Sequence, residues 1–328
     1  MIGEREKGTK IGLPRGFAYY LYPGFFETFF AELGFTPVVS EASSRTILEK
    51  SALFSETEHC LSHKIFDAHL YSLLGKADAV FIPRLLSMTK KYLCCAKFGA
   101  LPDASRCVLR SMAGGKKAPQ VLSLDINETR EALGKTLLRF AGKLGFSKKE
   151  AEKACAHSVR AMNAVYETQI RRNRELPERG RFLLIGHSYT LGEPLIMEPI
   201  LKKLRALGIP AEVMSFEPRP LPFKGGFSPF GRAFSFDMPS PIRWCTFAKI
   251  EERLKSPELS RYAGVLQIGV VNCGADSVMT GRFRRLCAER GTAFMELMMD
   301  EHSGTAGTDT RLEAFADSLV WKEMSFSS

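Results

Sequence analysis

Residues 9–39 read TKIGLPRGFAYYLYPGFFETFFAELGFTPVV. The short apolar run Thr9–Leu13 ends at Pro14-Arg15-Gly16, and Phe25, Phe26, Phe29, Phe30 and Leu33 then recur at helical spacing until Gly34 stops them. Residues Phe35–Val39 form a second apolar run. Strand, helix and strand in that order make a β-α-β unit, and such a connection obliges the two strands to run parallel.

The pattern recurs. A helix is predicted from about Ser62 to Leu74, stopped by Gly75 and followed by the strand ADAVFIPRL, residues 77–85. After the segment KYLCCAKFGALPD comes the strand APQVLSLDI, residues 118–126. Ser147 and Glu150 form an S-x-x-E capping box, and Cys155, Val159, Met162 and Tyr166 follow at helical spacing, so a long helix runs toward Arg174 before RELPERGR breaks it. A second series opens with the strand RFLLIGHS and a helix carrying Ile200, Leu201, Leu204 and Leu207, whose start Pro199 obscures. The strand IPAEVMSF follows, then an irregular stretch, Glu217–Ser240, rich in Pro, Gly and Phe and read as a lid or a disordered loop. The strands GVLQIGVVNC and TAFMELMMDE flank a helix from about Asp276 to Arg290, and a T-x-x-E box at Thr310 and Glu313 opens the last helix.

Apolar runs of four to six residues alternating with amphipathic helices indicate mostly parallel sheets covered on both faces. The expected fold is α/β, with two doubly wound Rossmann- or flavodoxin-like lobes and a cleft between them. The boundaries are placed at residues 1–146, a bridging helix at 147–177, and residues 178–328.

Composition narrows the function. With 328 residues, 45% hydrophobic content and 24 Phe, the chain has ample material for two cores. The charged start MIGEREKGTK lacks the apolar centre of a signal peptide, and no apolar run reaches the length of a membrane span, which together read as soluble and cytoplasmic. In a reducing cytosol, eight Cys without framework spacing are core residues, metal ligands or reactive thiols rather than disulfides. The net charge of +10 is scattered over clusters at Lys116, Lys148, Arg171 and Arg282, which suits solvated helix faces or a polyanionic small molecule. No zinc-finger spacing or aromatic RNA-binding run accompanies that charge, which argues against nucleic acid. A P-loop, a G-x-G-x-x-G after the first strand and an H-E-x-x-H are all absent from the sequence.

In doubly wound sheets ligands bind beyond the carboxyl ends of the strands. That rule selects Pro14-Arg15-Gly16, Pro83-Arg84, His187-Ser188-Tyr189, Asn272-Cys273-Gly274 and Asp300-Glu301-His302. Cys273 is the sharpest candidate: it ends a buried strand and precedes a helix, whose N–H groups and dipole are expected to lower its pKa and favour the thiolate. Cys60 stands similarly before a helix. In DEHSGTAGTDTRLEAF, Glu301 or His302 is placed to act as an acid or base, or the stretch is a polar turn with a cap. Cys155 and Cys287 fall on apolar helix stripes and read as packing, while Cys107 and Cys245 have no assigned place.

The stretches IGLPRGFAYYLYPGFFETFFAELGF, HCLSHKIFDAHLYSLLGKADAVFIPR, YLCCAKFGALPD, IGHSYTLGEP, NCGADSV and ELMMDEHSGTAGTDTRLEAFAD, in this order, resemble the 2-hydroxyacyl-CoA dehydratase superfamily. The likeness is to its acyl-CoA dehydratase activase-related domain, among whose relatives are 2-hydroxyglutaryl-CoA dehydratase subunits and double-cubane cluster reductases. The family pattern Cys-Pro-x-Lys stands here as Cys60-Leu-Ser-His-Lys64, and Cys-Pro-Lys as Cys95-Ala-Lys97, which selects Cys95 over Cys94 and leaves Cys94 as packing.

The resemblance implies an iron–sulfur cluster, [4Fe–4S] or double-cubane, held by Cys60, Cys95 and Cys273. It also implies a separate ATP-dependent activase with its own cluster, which delivers one low-potential electron to make a ketyl radical of an acyl-CoA. The chain would then be a lyase (dehydratase) or reductase component, oxygen-sensitive and from an anaerobic setting, paired as a homodimer or with a related chain. A dry cationic cleft for a thioester oxygen would draw on Arg15, His187, Tyr189, Glu301 and His302. Two other readings stand beside it: a non-catalytic module that binds a cluster or an acyl-CoA for an activase, and a thiol enzyme using Cys273 with His302 or His187.

Overall fold

The computed structural model describes residues 8–87, 93–115, 117–214 and 247–326. The irregular stretch Glu217–Ser240 lies outside them, as do Lys116 and Cys245. The described residues fall into two compact units: 8–57 with His63–Glu167 in the first, and Glu58–Ser62, 168–214 and 247–326 in the second.

The opening stretch folds as read. In the first unit β1 (Lys10–Leu13) leads through the short α1 (Ala18–Leu21) and the aromatic α2 (Phe25–Glu32) to β2 (Thr36–Val39). Gly34, at φ 84°, makes the reversal between α2 and β2. Next come α3 (Arg45–Ser51), α4 (Leu61–Ser72), β3 (Ala79–Phe81), β4 (Arg84–Ser87), α5 (Ala96–Ala113), β5 (Gln120–Leu122), β6 (Asp125–Asn127) and α6 (Leu133–Lys143). Four parallel strands pair in the order β2-β1-β3-β5. Phe25, Phe29 and Phe30 are fully buried, and the rings of Phe26 and Phe30 pack on Phe81 at 4.7 and 4.9 Å. Each such ring contributes roughly 1.5–3 kcal/mol through burial, so α2 is fixed to the sheet by its aromatic stripe.

The run read as a single strand, ADAVFIPRL, is divided in the structure. Pro83 has no N–H for the ladder, so β3 ends at Phe81 and the chain resumes as β4, which pairs with β6 in a separate two-stranded parallel sheet.

The long helix α7 (Lys148–Arg174) is present, opened by the predicted capping box: Glu150 N–H donates to Ser147 Oγ at 3.3 Å while Ser147 N–H donates back to Glu150 Oε2 at 2.8 Å. The second unit then runs β7 (Arg181–Gly186), α8 (Ser188–Leu191), α9 (Pro194–Ala206), β8 (Ala211–Val213), α10 (Phe247–Lys255), a 3-10 turn, β9 (Tyr262–Val270), α11 (Gly274–Ala288), β10 (Ala293–Met299) and α12 (Thr305–Phe326). Its strands are also parallel, in the order β10-β9-β7-β8. β9 is buried along almost its whole length, as a central strand of a doubly covered parallel sheet must be.

Two helix starts differ from the sequence reading. α9 begins at Pro194 behind the Glu193 cap, whose carboxylate accepts from Leu195 N–H at 3.0 Å, and the helix continues through Pro199. α12 begins at Thr305, so Thr310 and Glu313 lie inside it. Thr310 Oγ1 donates to the Ala306 carbonyl and Glu313 pairs with Lys203, so neither acts as a cap.

Counted in chain order, both sheets have the order 2-1-3-4. The connections leave the first and third strands in opposite directions, and the crevice this opens at their carboxyl ends is the ligand position of such sheets. It falls between β1 and β3 in the first unit and between β7 and β9 in the second.

Candidate functional site

In the second unit, β7 and β9 meet closely at the switch point. A Cβ on Gly186 would stand 2.5 Å from the Ile268 carbonyl oxygen, so glycine is required there, and His187 follows at once. Beyond β9, Asn272 takes a left-handed φ of 65° and turns the chain so that Cys273 caps α11. These two turns bring Cys273 Sγ to 3.7 Å from His187 Nε2. The third residue of α11, Asp276, places Oδ1 at 3.5 Å from the same nitrogen. Asp276 is only 1% exposed; its Oδ2 accepts from Val270 N–H at 3.1 Å, while Oδ1 has no hydrogen-bond partner among the described residues. The His187 ring stacks on Tyr189 with centroids 4.9 Å apart and meets Phe247 edge-on at 5.0 Å.

The electrostatics differ from the sequence expectation. Burial first, then the Asp276 charge, pushes the Cys273 thiol up to about 12, and Cys60 adds to the rise. Backbone N–H bonds from Asp276 and Ala275 to the sulfur act in the predicted direction but are outweighed. The helix start therefore does not by itself generate a thiolate. A bound cation would, since metal charge reverses this balance. Burial lowers the pKa of His187 against the opposing pull of Asp276, which favours the neutral imidazole that metals and protons bind.

The other cysteines divide by environment. Cys60 is half-buried, immediately precedes α4, and belongs to the second unit with Cys273. Cys95 caps α5 in the first unit with its side chain exposed. Its neighbour Cys94, expected as packing, is half-buried, and its N–H donates to the Leu86 carbonyl at 2.9 Å. Cys155 and Cys287 are buried core residues whose thiols burial pushes up to about 12. Cys107 is exposed on α5.

The turn after β10 closes on itself. Asp300 Oδ1 accepts from His302 N–H at 2.9 Å and from the Ser303 hydroxyl at 2.7 Å, and these bonds hold its carboxyl below the usual range. The His302 ring is 87% exposed and 3.9 Å from Glu301.

At the switch point of the first unit, Arg15 N–H donates to Ser40 Oγ at 2.9 Å. The hydroxyls of Ser40 and Ser43 lie 3.0 Å from the two ring nitrogens of His69, whose pKa burial and then the Arg15 charge push down to about 4. The Arg15 guanidinium sits 5.8 Å above Tyr19. Beside it opens a mainly apolar concavity of about 450 Å³, measured with its mouth, lined by Pro14, Tyr19, Phe66, Phe81 and Pro83 among others. Arg84, the other strand-end cation, is engaged by Asp103 at 2.7 Å and Asp125 at 3.1 Å.

Sequence reasoning thus found His187, Tyr189 and Cys273, which the fold brings together. It missed Asp276 and His69. The acid at the third helical position of NCGAD was a readable signal for the first, and the second had no signal beyond its place in an apolar helix.

The second unit thus gathers a thiol, an imidazole and a carboxylate at its strand-order reversal, the position where doubly wound sheets bind ligands. Residues 10–216 match the family described as "CoA enzyme activase uncharacterised domain", and the chain belongs to that family. No curated protein matches the chain in sequence. Among solved structures, the SBP FpvC from P. aeruginosa in complex with Ni2+ is 14% identical, with 95% of this chain and 98% of that chain covered and a TM-score of 0.29. The periplasmic zinc binding protein TroA from Treponema pallidum is 11% identical, with 95% and 99% covered and a TM-score of 0.27. Scores this low carry no argument, and the fold rests on its own strand order. Among the described residues no helix is long and apolar enough to cross a membrane.

Proposed function

We propose that this CoA enzyme activase-related chain is an iron–sulfur component of the 2-hydroxyacyl-CoA dehydratase type, working with a separate ATP-dependent activase in dehydration or reduction of an acyl-CoA or other small molecule. The observation that carries the reading is the grouping of Cys60 and Cys273, far apart in sequence, in one unit, each immediately before a helix. Cys95 is the third ligand by the sequence resemblance. The donor set suits iron: three thiols, one of them already bonded by two backbone N–H groups of the kind that tune cluster potential.

When bound, the cluster accepts and passes on one electron at low potential. The chain's own residues do the rest. His187, neutral and held by Tyr189 and Phe247, can accept or release a proton at Nε2. The apolar lining of the concavity beside Arg15 offers a surface to an acyl chain, with the Arg15 cation nearby for a thioester oxygen. Glu301 and His302 are proposed as solvent-side proton donors.

Metal analysis of cysteine variants tests this. Cys60→Ala, Cys95→Ala and Cys273→Ala should each lose bound iron, while Cys155→Ala and Cys287→Ala should keep it. Iron retained in all three of the first set, or lost only on Cys94→Ala, would contradict the ligand assignment.

A further inference from the structure

Asp276 Oδ1 is buried and has no hydrogen-bond donor among the described residues. Leaving such a group unsatisfied is costly, and it needs either a cation or a proton. His187 Nε2 points between this oxygen at 3.5 Å and Cys273 Sγ at 3.7 Å. A ring proton shared between the two would be long to both. One metal ion among the three atoms satisfies all of them.

The spacing is specific. On one tetrahedral ion, with bonds of about 2.3 Å to sulfur and about 2.0–2.1 Å to nitrogen or oxygen, neighbouring ligand atoms stand about 3.4–3.6 Å apart. The two closest contacts here are 3.7 and 3.5 Å, and all three atoms lie within 4.8 Å of one another. A cluster iron, already bonded to bridging sulfides, takes a single protein ligand, so an imidazole and a carboxylate at these distances from one thiol are not explained by a cluster.

We propose that Cys273, His187 and Asp276 bind a single divalent cation of the zinc type, tetrahedral, with three protein ligands and a fourth position open to water or a small ligand. Thiolate, imidazole and carboxylate together are the donors zinc prefers, and an open fourth position is the mark of a reactive rather than a structural site. This site goes beyond the cluster reading and shares Cys273 and His187 with it, so the cation occupies chains that carry no cluster, and the proton role of His187 belongs to the cluster-bound form.

The test uses the full chain, stripped with chelator under exclusion of oxygen and titrated with Co2+ as a spectroscopic stand-in for zinc. The expected result is one equivalent bound, with a near-ultraviolet thiolate-to-cobalt band and the strong visible absorption of tetrahedral cobalt. Cys273→Ser should abolish the near-ultraviolet band. His187→Ala and Asp276→Asn should each weaken binding at least about tenfold, while Cys107→Ala, at an exposed thiol of the other unit, leaves it unchanged; thermal melting confirms that each variant is folded. Asp276→Asn keeps the acceptor for Val270 N–H and so separates ligation from folding. Wild-type affinity in both His187→Ala and Asp276→Asn, or no cobalt band in the wild-type chain, would overturn the proposal. Iron and sulfide reconstitution of the same Asp276→Asn protein distinguishes the two readings, since the cluster needs Cys273 but not Asp276.

Discussion

At the scale of single residues, the Cys273 site depends on Gly186 as much as on the thiol. Gly186→Ala forces β7 and β9 apart, because the new methyl would meet the backbone oxygen of Ile268 rather than a side chain that could move. A loss of at least about 2 kcal/mol is expected in denaturant unfolding, together with loss of cobalt binding; an unchanged midpoint would show that the strands tolerate the separation. His69 gives a pH signature. Its folded pKa of about 4 lies below the ordinary 6.5, so its contribution is fully present above pH 6.5 and is lost as pH falls toward 4, on the order of 3 kcal/mol in total. His69→Gln should flatten that slope in urea unfolding between pH 7 and pH 4, and an equal slope in both proteins would contradict the assignment. Cys273 was legible because a cysteine closing an apolar strand before a helix occupies a defined place in a doubly wound sheet. The rise in its pKa was not, because burial and the Asp276 charge act through space.

The helices were legible where their signals are local. The capping box at Ser147 and Glu150 is formed as its spacing requires, and Ser147→Ala should cost about 1 kcal/mol in thermal or chemical unfolding. No change would mean that α7 is held by packing of its buried face, Cys155, Val159, Met162 and Tyr166, with no contribution from the cap. The T-x-x-E at Thr310 and Glu313 has the same spacing but sits within α12, where Thr310 bonds back to Ala306 and Glu313 reaches Lys203. The pattern alone does not distinguish an end from an interior. Strand lengths were blurred for a related reason: ADAVFIPRL is uniformly apolar, and only the missing N–H of Pro83 marks where β3 yields to β4.

Over the whole chain, the alternation of apolar runs and amphipathic helices was sufficient to read two parallel α/β sheets, and the structure adds that both have the strand order 2-1-3-4. A repeated order gives each unit its own switch point, one beside Arg15 and one at Cys273. The sequence motifs pointed to the family and, by resemblance, implied Cys60, Cys95 and Cys273 together, whereas only the fold shows that Cys60 and Cys273 fall in one unit and Cys95 in the other. Cys60, Cys95 and Cys273 are proposed to hold an iron–sulfur cluster. The most direct measurement is iron and acid-labile sulfide per chain, with an electron paramagnetic resonance spectrum after dithionite reduction, on protein prepared strictly without oxygen. About four or more irons per chain with matching sulfide and a reduced-cluster signal are predicted. A chain without iron that resists reconstitution with iron and sulfide would contradict the claim.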